Sequence, residues 1–432
     1  MMRRFPVIGL VALLVLTSGC SHRFRMSRER LAQPSAWPFS RGDTDGLGSI
    51  GADGFNGELT LLWQRRVGSK PAGPLTLSHG ALIYPGSGRR INFYDQSGGD
   101  YLGYWQAKRP AQTGLSMLDS LAFYGTSPPD ERLCCVDLVH RKQVWRQHVK
   151  DAAAGTIIVE NRLIVASGAG LLQAYDAHSG NLLWSFEAPG RLVAGPSSDA
   201  RKVYQPVDDG TLIAIAVEDG RELFRVELNE PLPGGVAVSD LIYAAGIRGA
   251  VFALDRDDGR IVWQASVGGD VWTTPTVADG RVFVGLSDGE LVALDAATGS
   301  ERWRFRTVEV VRASATAVGR FVVVGTMAGK LFCLDAATGA VVDQRQLDGA
   351  IAVPPVTDGW RLFVATDEGE IVCLGDAHEE VNRHQRIDSG HRSQRTGPHA
   401  GQGPGHGLPQ GFDLRRRPSH GRAVAGEAVL RL

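Results

Sequence analysis

Along the middle of the chain, apolar and polar residues alternate in short bursts separated by turn residues. The best-formed stretch runs from Thr274 to Arg306. Thr274–Ala278 leads into Asp279-Gly280, a hairpin pair. Arg281–Gly285 reads as a strand, and Ser287-Asp288-Gly289 turns the chain. Glu290–Leu294 is the next strand, Asp295–Gly299 turns again, and Glu301–Arg306 is the last. Strands of ~4–6 residues are of ordinary length. Leu291–Leu294 is apolar on both faces, which demands burial on both sides. Outside the first twenty residues no stretch carries a 3.6-residue apolar period, so the predicted class is all-β.

The stretch recurs. Gly289–Trp303 aligns with Gly170–Trp184, Gly249–Trp263 and, with Phe for Trp, Gly210–Phe224. Gly329–Asp343 keeps the first eleven positions and loses the Trp. The terminal position reads as Trp63, Trp105, Trp145, Trp184, Phe224, Trp263, Trp303 and Asp343, at intervals of 39 to 42 residues. Four short strands per ~40–45 residues is the signature of a propeller blade. The large ring on each fourth strand is expected to wedge between neighbouring blades, where it buries ~150–250 Å².

Eight fourth strands can be counted. The last unit, Ile351–Leu374, has three strands and needs a fourth; the first, residues 58–68, is a fourth strand alone. The spacing therefore predicts an eight-bladed β-propeller over residues 55–378, closed by residues 58–68 completing the last blade. Closure covers the edge that the last blade would otherwise leave open.

The unit Gly-x-Leu-x-Ala-Leu-Asp-x-x-Thr-Gly-x-x-x-Trp is similar to the repeat of the pyrroloquinoline-quinone-like β-propellers, over roughly residues 55–376. The chain begins with Arg3-Arg4, an apolar run Val7–Leu16 and then Leu16-Thr17-Ser18-Gly19-Cys20. The run is too short to cross a ~30 Å hydrocarbon core and reads as a signal peptide over residues 1–19. Its end resembles the bacterial lipobox, with Thr17 where that pattern prefers Leu, and this makes Cys20 the lipidated residue. By the same resemblance Ser21 implies the outer membrane, periplasmic side. Propeller and lipobox together look most like the BamB lipoproteins. That resemblance implies a monomeric, non-catalytic protein-binding scaffold of outer-membrane β-barrel assembly, with an envelope partner in the barrel-assembly machinery. It also implies loop contacts whose nearest positions here are Arg191, Leu192 and Glu230. A lipoprotein propeller with another partner fits the same features.

The rival class is a quinoprotein oxidoreductase, with pyrroloquinoline quinone and calcium on the propeller axis. Calcium takes six to eight oxygen ligands, several of them carboxylates. The axial first strands are expected at Gly73–Leu77, Gly155–Val159, Gly195–Asp199, Gly234–Val238, Thr274–Ala278, Ser314–Val318 and Val353–Thr357. Only Asp199 is acidic there, so no cofactor, no metal and no catalytic residue is assigned. Cys134-Cys135 could suggest the vicinal disulfide of those dehydrogenases. In the repeat, however, Cys135 falls with Ala293, Cys333 and Cys373 at a small buried position, and successive strand side chains point apart. The recurrent Asp, at Asp95, Asp137, Asp176, Asp255, Asp295 and Asp335, starts a tight turn and accepts backbone N–H groups two residues on.

Composition changes the picture at the ends. Glycine is 54 of 432 residues, in keeping with the many turns. Residues 20–54, with Arg23, Arg25, Arg28, Arg30 and scattered Pro and Gly, read as a flexible tether. Residues 379–432 are rich in Arg, Gly, His and Pro and read as disordered, or as the product of a shifted reading frame. The whole chain has a net charge of −1, with −10 on residues 33–378, which excludes a nucleic-acid binder and suits basic protein surfaces.

Overall fold

The computed structural model describes residues 23–376, apart from 40, 43, 52, 53, 112, 127, 128 and 153. Residues 1–19, Cys20 and the tail 379–432 lie outside the described residues. The architecture is an eight-bladed β-propeller of four-stranded antiparallel blades. Among the described residues, no helix is long and apolar enough to cross a membrane.

Numbered in chain order, blade 1 spans Thr76–Gln106, blade 2 Ser116–His148, blade 3 Gly155–Glu187 and blade 4 Ser197–Glu227. Blade 5 spans Ala237–Ser266, blade 6 Thr276–Arg306 and blade 7 Thr316–Gln346. Blade 8 takes its three inner strands from Val356–Gly375, and Thr60–Arg66 pairs with Glu370–Gly375 as its fourth. The expected closure is therefore present, with Thr60 opposite Gly375 and Arg66 opposite Glu370.

Apolar residues gather in eight clusters, each shared by two neighbouring blades rather than held within one. The repeat's aromatic wedge works across this boundary. Indole Nε1 of Trp63, Trp145, Trp184, Trp263 and Trp303 donates to a carbonyl in the following blade at 2.8–3.1 Å. The ring lies against the glycine that ends the turn between the third and fourth strands of the following blade. A methyl group added at Gly299, whose φ is +73°, would sit 2.5 Å from the Trp263 ring. That glycine thus answers two demands, a left-handed backbone and room for the wedge.

Trp105 departs from the expected pattern. Phe93, the partner of the docking position in blade 1, lies opposite Gly103, while Trp105 lies opposite Ile91 two residues further on. Trp105 is half-buried and donates instead to the Tyr124 hydroxyl at 3.1 Å. The following blade also lacks the receiving glycine: Arg141 stands there, at φ +56°. Blade 7 lacks the wedge as well, with Asp343 at the docking position.

The described part of residues 20–54, read above as a flexible tether, is instead packed on the propeller together with residues 55–59. These residues fill the two gaps where the wedge is missing. Phe24 is 2% exposed and enters the cluster between blades 1 and 2 with Met26. Phe55 meets Phe321 edge-on at 5.7 Å in the cluster between blades 7 and 8, and Asp343 Oδ2 accepts the Leu59 N–H at 2.7 Å. Between these points the segment runs along the inner strands. Carbonyls of Pro38, Thr44, Asp45, Leu47 and Gly48 accept N–H groups of Met117, Ser198, Val238, Val277 and Ala317, in blades 2, 4, 5, 6 and 7. Trp37 exchanges both backbone bonds with Leu77 in blade 1, and Ser49–Ile50 pairs parallel to blade 7. Inner-strand donors facing the axis need such partners.

Candidate functional site

The propeller axis is the position at which a quinoprotein would hold its cofactor. In this chain five inner-strand hydroxyls are engaged between blades. Thr76 Oγ1 donates to Leu115 O, Ser116 Oγ to Thr156 O, Ser197 Oγ to Val236 O, Thr276 Oγ1 to Ala315 O and Thr316 Oγ1 to Pro355 O, at 2.6–3.1 Å. The only trace of these staples in the sequence is that hydroxyls at positions 76, 116, 197, 276 and 316 keep the blade period.

A cavity of about 230 Å³ remains on the axis. Phe39, Arg41 and Gly46 of the N-terminal segment share its wall with Thr156, Trp272 and Ser314. Arg41 reaches across to blade 6, where its guanidinium donates to Pro275 O at 3.0 Å and Thr276 Oγ1 at 3.1 Å. Among the described residues the lining contains no carboxylate. Asp199 turns away from the axis: its carboxylate accepts Arg201 N, Lys202 N and the Tyr204 hydroxyl. The donor set does not fit a quinone held with a hard divalent cation, which needs several anionic oxygens.

The cysteines lie in two different interblade cores. Cys135 packs with Phe123 and Trp145 between blades 2 and 3, and Cys134 with Phe24 and Phe93 between blades 1 and 2. Both thiols are free, and burial pushes their pKa values up, to about 12 and about 11. A protonated, buried thiol is inert.

The three loop positions separate in character. Arg191 is exposed; its backbone N–H donates to Asp208 Oδ1 at 2.9 Å. Leu192 is 1% exposed and belongs to the core between blades 3 and 4. Glu230 is 8% exposed, and its Oε1 accepts the Arg248 N–H. Leu192 and Glu230 thus brace the fold and present no side chain at the surface. The sequence could not reveal this, because an isolated Glu in a loop carries no burial signal.

The outer strands are the most accessible apolar surface. Each is terminal in its sheet. Each also bulges one residue before the docking position, as where Leu182 pairs with Tyr175 and Trp184 with Ala174. A bulge sets two successive side chains on one side. Leu182 and Leu183 are therefore 52% and 48% exposed, with Ile261-Val262 and Val341-Val342 in the same situation on blades 5 and 7.

A family model described as outer membrane protein assembly factor BamB matches residues 105–207, 129–234 and 208–400. The outer membrane protein assembly factor BamB of Nitrosomonas eutropha is 33% identical over 176 residues, covering 38% of this chain and 42% of the relative. That of Bordetella pertussis is 27% identical over 258 residues, 55% of this chain and 66% of the relative. The matched regions thus span less than two thirds of these relatives. Among solved structures, BamB from Moraxella catarrhalis superposes with a TM-score of 0.65 at 20% identity, over 74% of this chain and all of that one. Quinohemoprotein alcohol dehydrogenase from Comamonas testosteroni superposes with 0.66 at 14%, over 80% and 81%. At such identities the two structures show a shared fold alone.

Proposed function

The chain belongs to the family described as outer membrane protein assembly factor BamB, and on that premise we propose that it is a non-catalytic, lipid-anchored scaffold of outer-membrane β-barrel assembly. The observation that carries the reading is the set of outer strands with unpaired edges and exposed apolar pairs, joined to an axis whose polar groups are engaged within the fold. Such edges accept an extended segment by strand addition, with backbone bonds supplying affinity and the apolar side chains contact area. The bulges limit this to short segments and guard against edge-to-edge aggregation. Cys20 is the residue that carries the anchor, on the periplasmic side of the outer membrane, and Arg191 is the loop residue available to a partner in the barrel-assembly machinery.

Affinity capture of the full chain from solubilised outer membranes tests this. Recovery of barrel-assembly components, reduced when Leu182→Lys and Leu183→Lys are combined, is expected. Recovery of none, together with quinone-dependent alcohol oxidation after adding pyrroloquinoline quinone and calcium, would replace the scaffold by an oxidoreductase.

A further inference from the structure

Charge is unevenly placed around the ring. Residues 151–376, which hold blades 3–7 and three strands of blade 8, carry a net −13, while residues 76–148, which hold blades 1 and 2, carry +2 and residues 23–32 a further +3. The basic part is the rim of blades 1 and 2, where the N-terminal segment enters. Its groups are contiguous. Tyr104 O accepts the Phe24 N–H at 2.9 Å, and the Arg90 guanidinium lies over the Tyr104 ring at 4.5 Å. Arg25 Nε donates to Val139 O at 3.1 Å. Arg146 lies opposite Cys134 on the outer strand of blade 2, and Cys134 shares a core with Phe24.

We infer that the rim of blades 1 and 2 seats on an anionic phospholipid surface. Arg23, Arg25, Arg28, Arg90, Lys108 and Arg146 are all exposed, and none forms an ion pair among the described residues. Among the acids of blades 1 and 2 and of residues 23–32, Asp95 pairs with Arg30, Asp100 with Arg65, Asp130 with Arg132 and Asp137 with His140, leaving Glu29 and Asp119 exposed and Glu131 half-buried. Each basic side chain near an anionic bilayer attracts it within about a Debye length, and contiguous ones add. Half-buried Trp105 and exposed Tyr101 and Val144 border the cluster. An aromatic and aliphatic margin beside basic groups suits a headgroup region better than it suits an acidic protein.

Orientation follows from the packing. Phe24 and Met26 are clamped between blades 1 and 2, so the chain cannot pay out as a long leash. From Cys20 to Arg23 the backbone reaches about 11 Å at most. The proposed anchor at Cys20 would therefore hold this rim, and no other, beside the bilayer. Lipid attraction by the rim itself does not depend on the acyl chain.

The test uses the full chain with Cys20→Ala, which has no acyl group. It is sedimented with phosphatidylcholine vesicles with and without phosphatidylglycerol. Binding is expected only when phosphatidylglycerol is present, and raised salt should weaken it. Combining Arg23→Glu, Arg25→Glu, Arg90→Glu and Arg146→Glu should lower binding at least tenfold, while Lys at the same four positions retains it. A control with Arg201→Glu, Arg221→Glu, Arg248→Glu and Arg312→Glu should bind as before. Equal binding to both vesicles, an equal loss in the control, or salt-sensitive capture of an acidic protein without vesicle binding would overturn the inference. The mass of the mature native protein reports acylation separately, so failure of the Cys20 reading is distinguishable.

Discussion

Phe24 stacks on Phe93 with ring centroids 4.0 Å apart and 8° between planes, in the gap that Gly103 leaves between blades 1 and 2. A repeat that omits its wedge would leave a cavity between two flat sheets, and interiors do not tolerate one of that size. The N-terminal segment supplies the missing ring here, and Phe55 does so at the other deficient gap, beside Asp343. The segment before the first repeat is thus a structural part of the propeller.

Phe24→Ala should accordingly destabilise the ring by about 3 kcal/mol, the low end for buried Phe truncation. It should also expose Arg23 and Arg25 to trypsin well before the rest of the chain. Unchanged melting and unchanged digestion would show that the stacking contributes nothing.

The closure of the last blade can be tested independently. Trp63 lies opposite Cys373, and its Nε1 donates to Gln96 O in blade 1 at 3.1 Å, so one residue ties both sides of the seam. Trp63→Ala should cost about 3–5 kcal/mol. Deleting residues 60–66 should broaden and lower the thermal transition of the whole ring, because it opens an edge on blade 8 and removes the Trp63 ring from the core shared with blade 1. A sharp transition at the original temperature after the deletion would contradict a closed eight-blade ring.

Much of this was legible in the sequence, and the failures have physical causes. The period, the closing strand and the Asp turns all rest on side chains that recur. Asp295 does accept Ala297 and Thr298 N–H groups, at 3.2 and 2.9 Å. Trp105 lies two residues beyond the docking position of blade 1, because the spacing of eight from each turn Asp to its docking residue falls on Gly103. The N-terminal segment reads as a linker because its inward bonds are made by backbone carbonyls, which leave no pattern. Its buried Phe24, Met26, Trp37 and Phe39 were the available signal.

The paired cysteines should behave as packing residues. Cys134→Ala combined with Cys135→Ala should lower stability only modestly, on the order of 1 kcal/mol per site, since Ala stands at the Cys135 position in other blades. Thiol labelling at neutral pH should spare Cys134, Cys135 and Cys333 in the folded protein, all of which have pKa values raised by burial, and reach them in denaturant. Rapid labelling of the native protein would place them outside the interblade cores.

Acid should attack the Asp turns first. A side-chain hydrogen bond from Arg302, then one from Thr298, lowers the Asp295 pKa to about 2, and the Ser179 backbone N–H and hydroxyl hold Asp176 below its ordinary value. Unfolded Asp titrates near ~3.9. A depressed folded pKa stabilises above the unfolded value, and that contribution is lost as pH falls through the folded one. Stability should therefore drop between roughly pH 4 and pH 2, and Asp295→Asn should flatten the slope in that window. A variant with the wild-type slope would remove Asp295 from the acid transition.

Val308 is a β-branched residue at φ +69°, and its side chain is 81% exposed. It lies five residues after its docking residue, where the chains leaving blades 8 and 5 have Gly68 and Gly268, at φ +76° and +82°. An L-residue in that conformation costs about 1–2 kcal/mol. Glycine relieves the strain but gives back about 0.5–1 kcal/mol through the greater entropy of its unfolded chain. The difference favours Val308→Gly by up to about 1.5 kcal/mol. Because the Val side chain is exposed, little packing is lost to offset that gain. The denaturant midpoint should rise with an unchanged slope, since the exposed area on unfolding hardly alters. A fall in the midpoint would mean that the Val308 side chain makes a contact worth more than the strain it imposes.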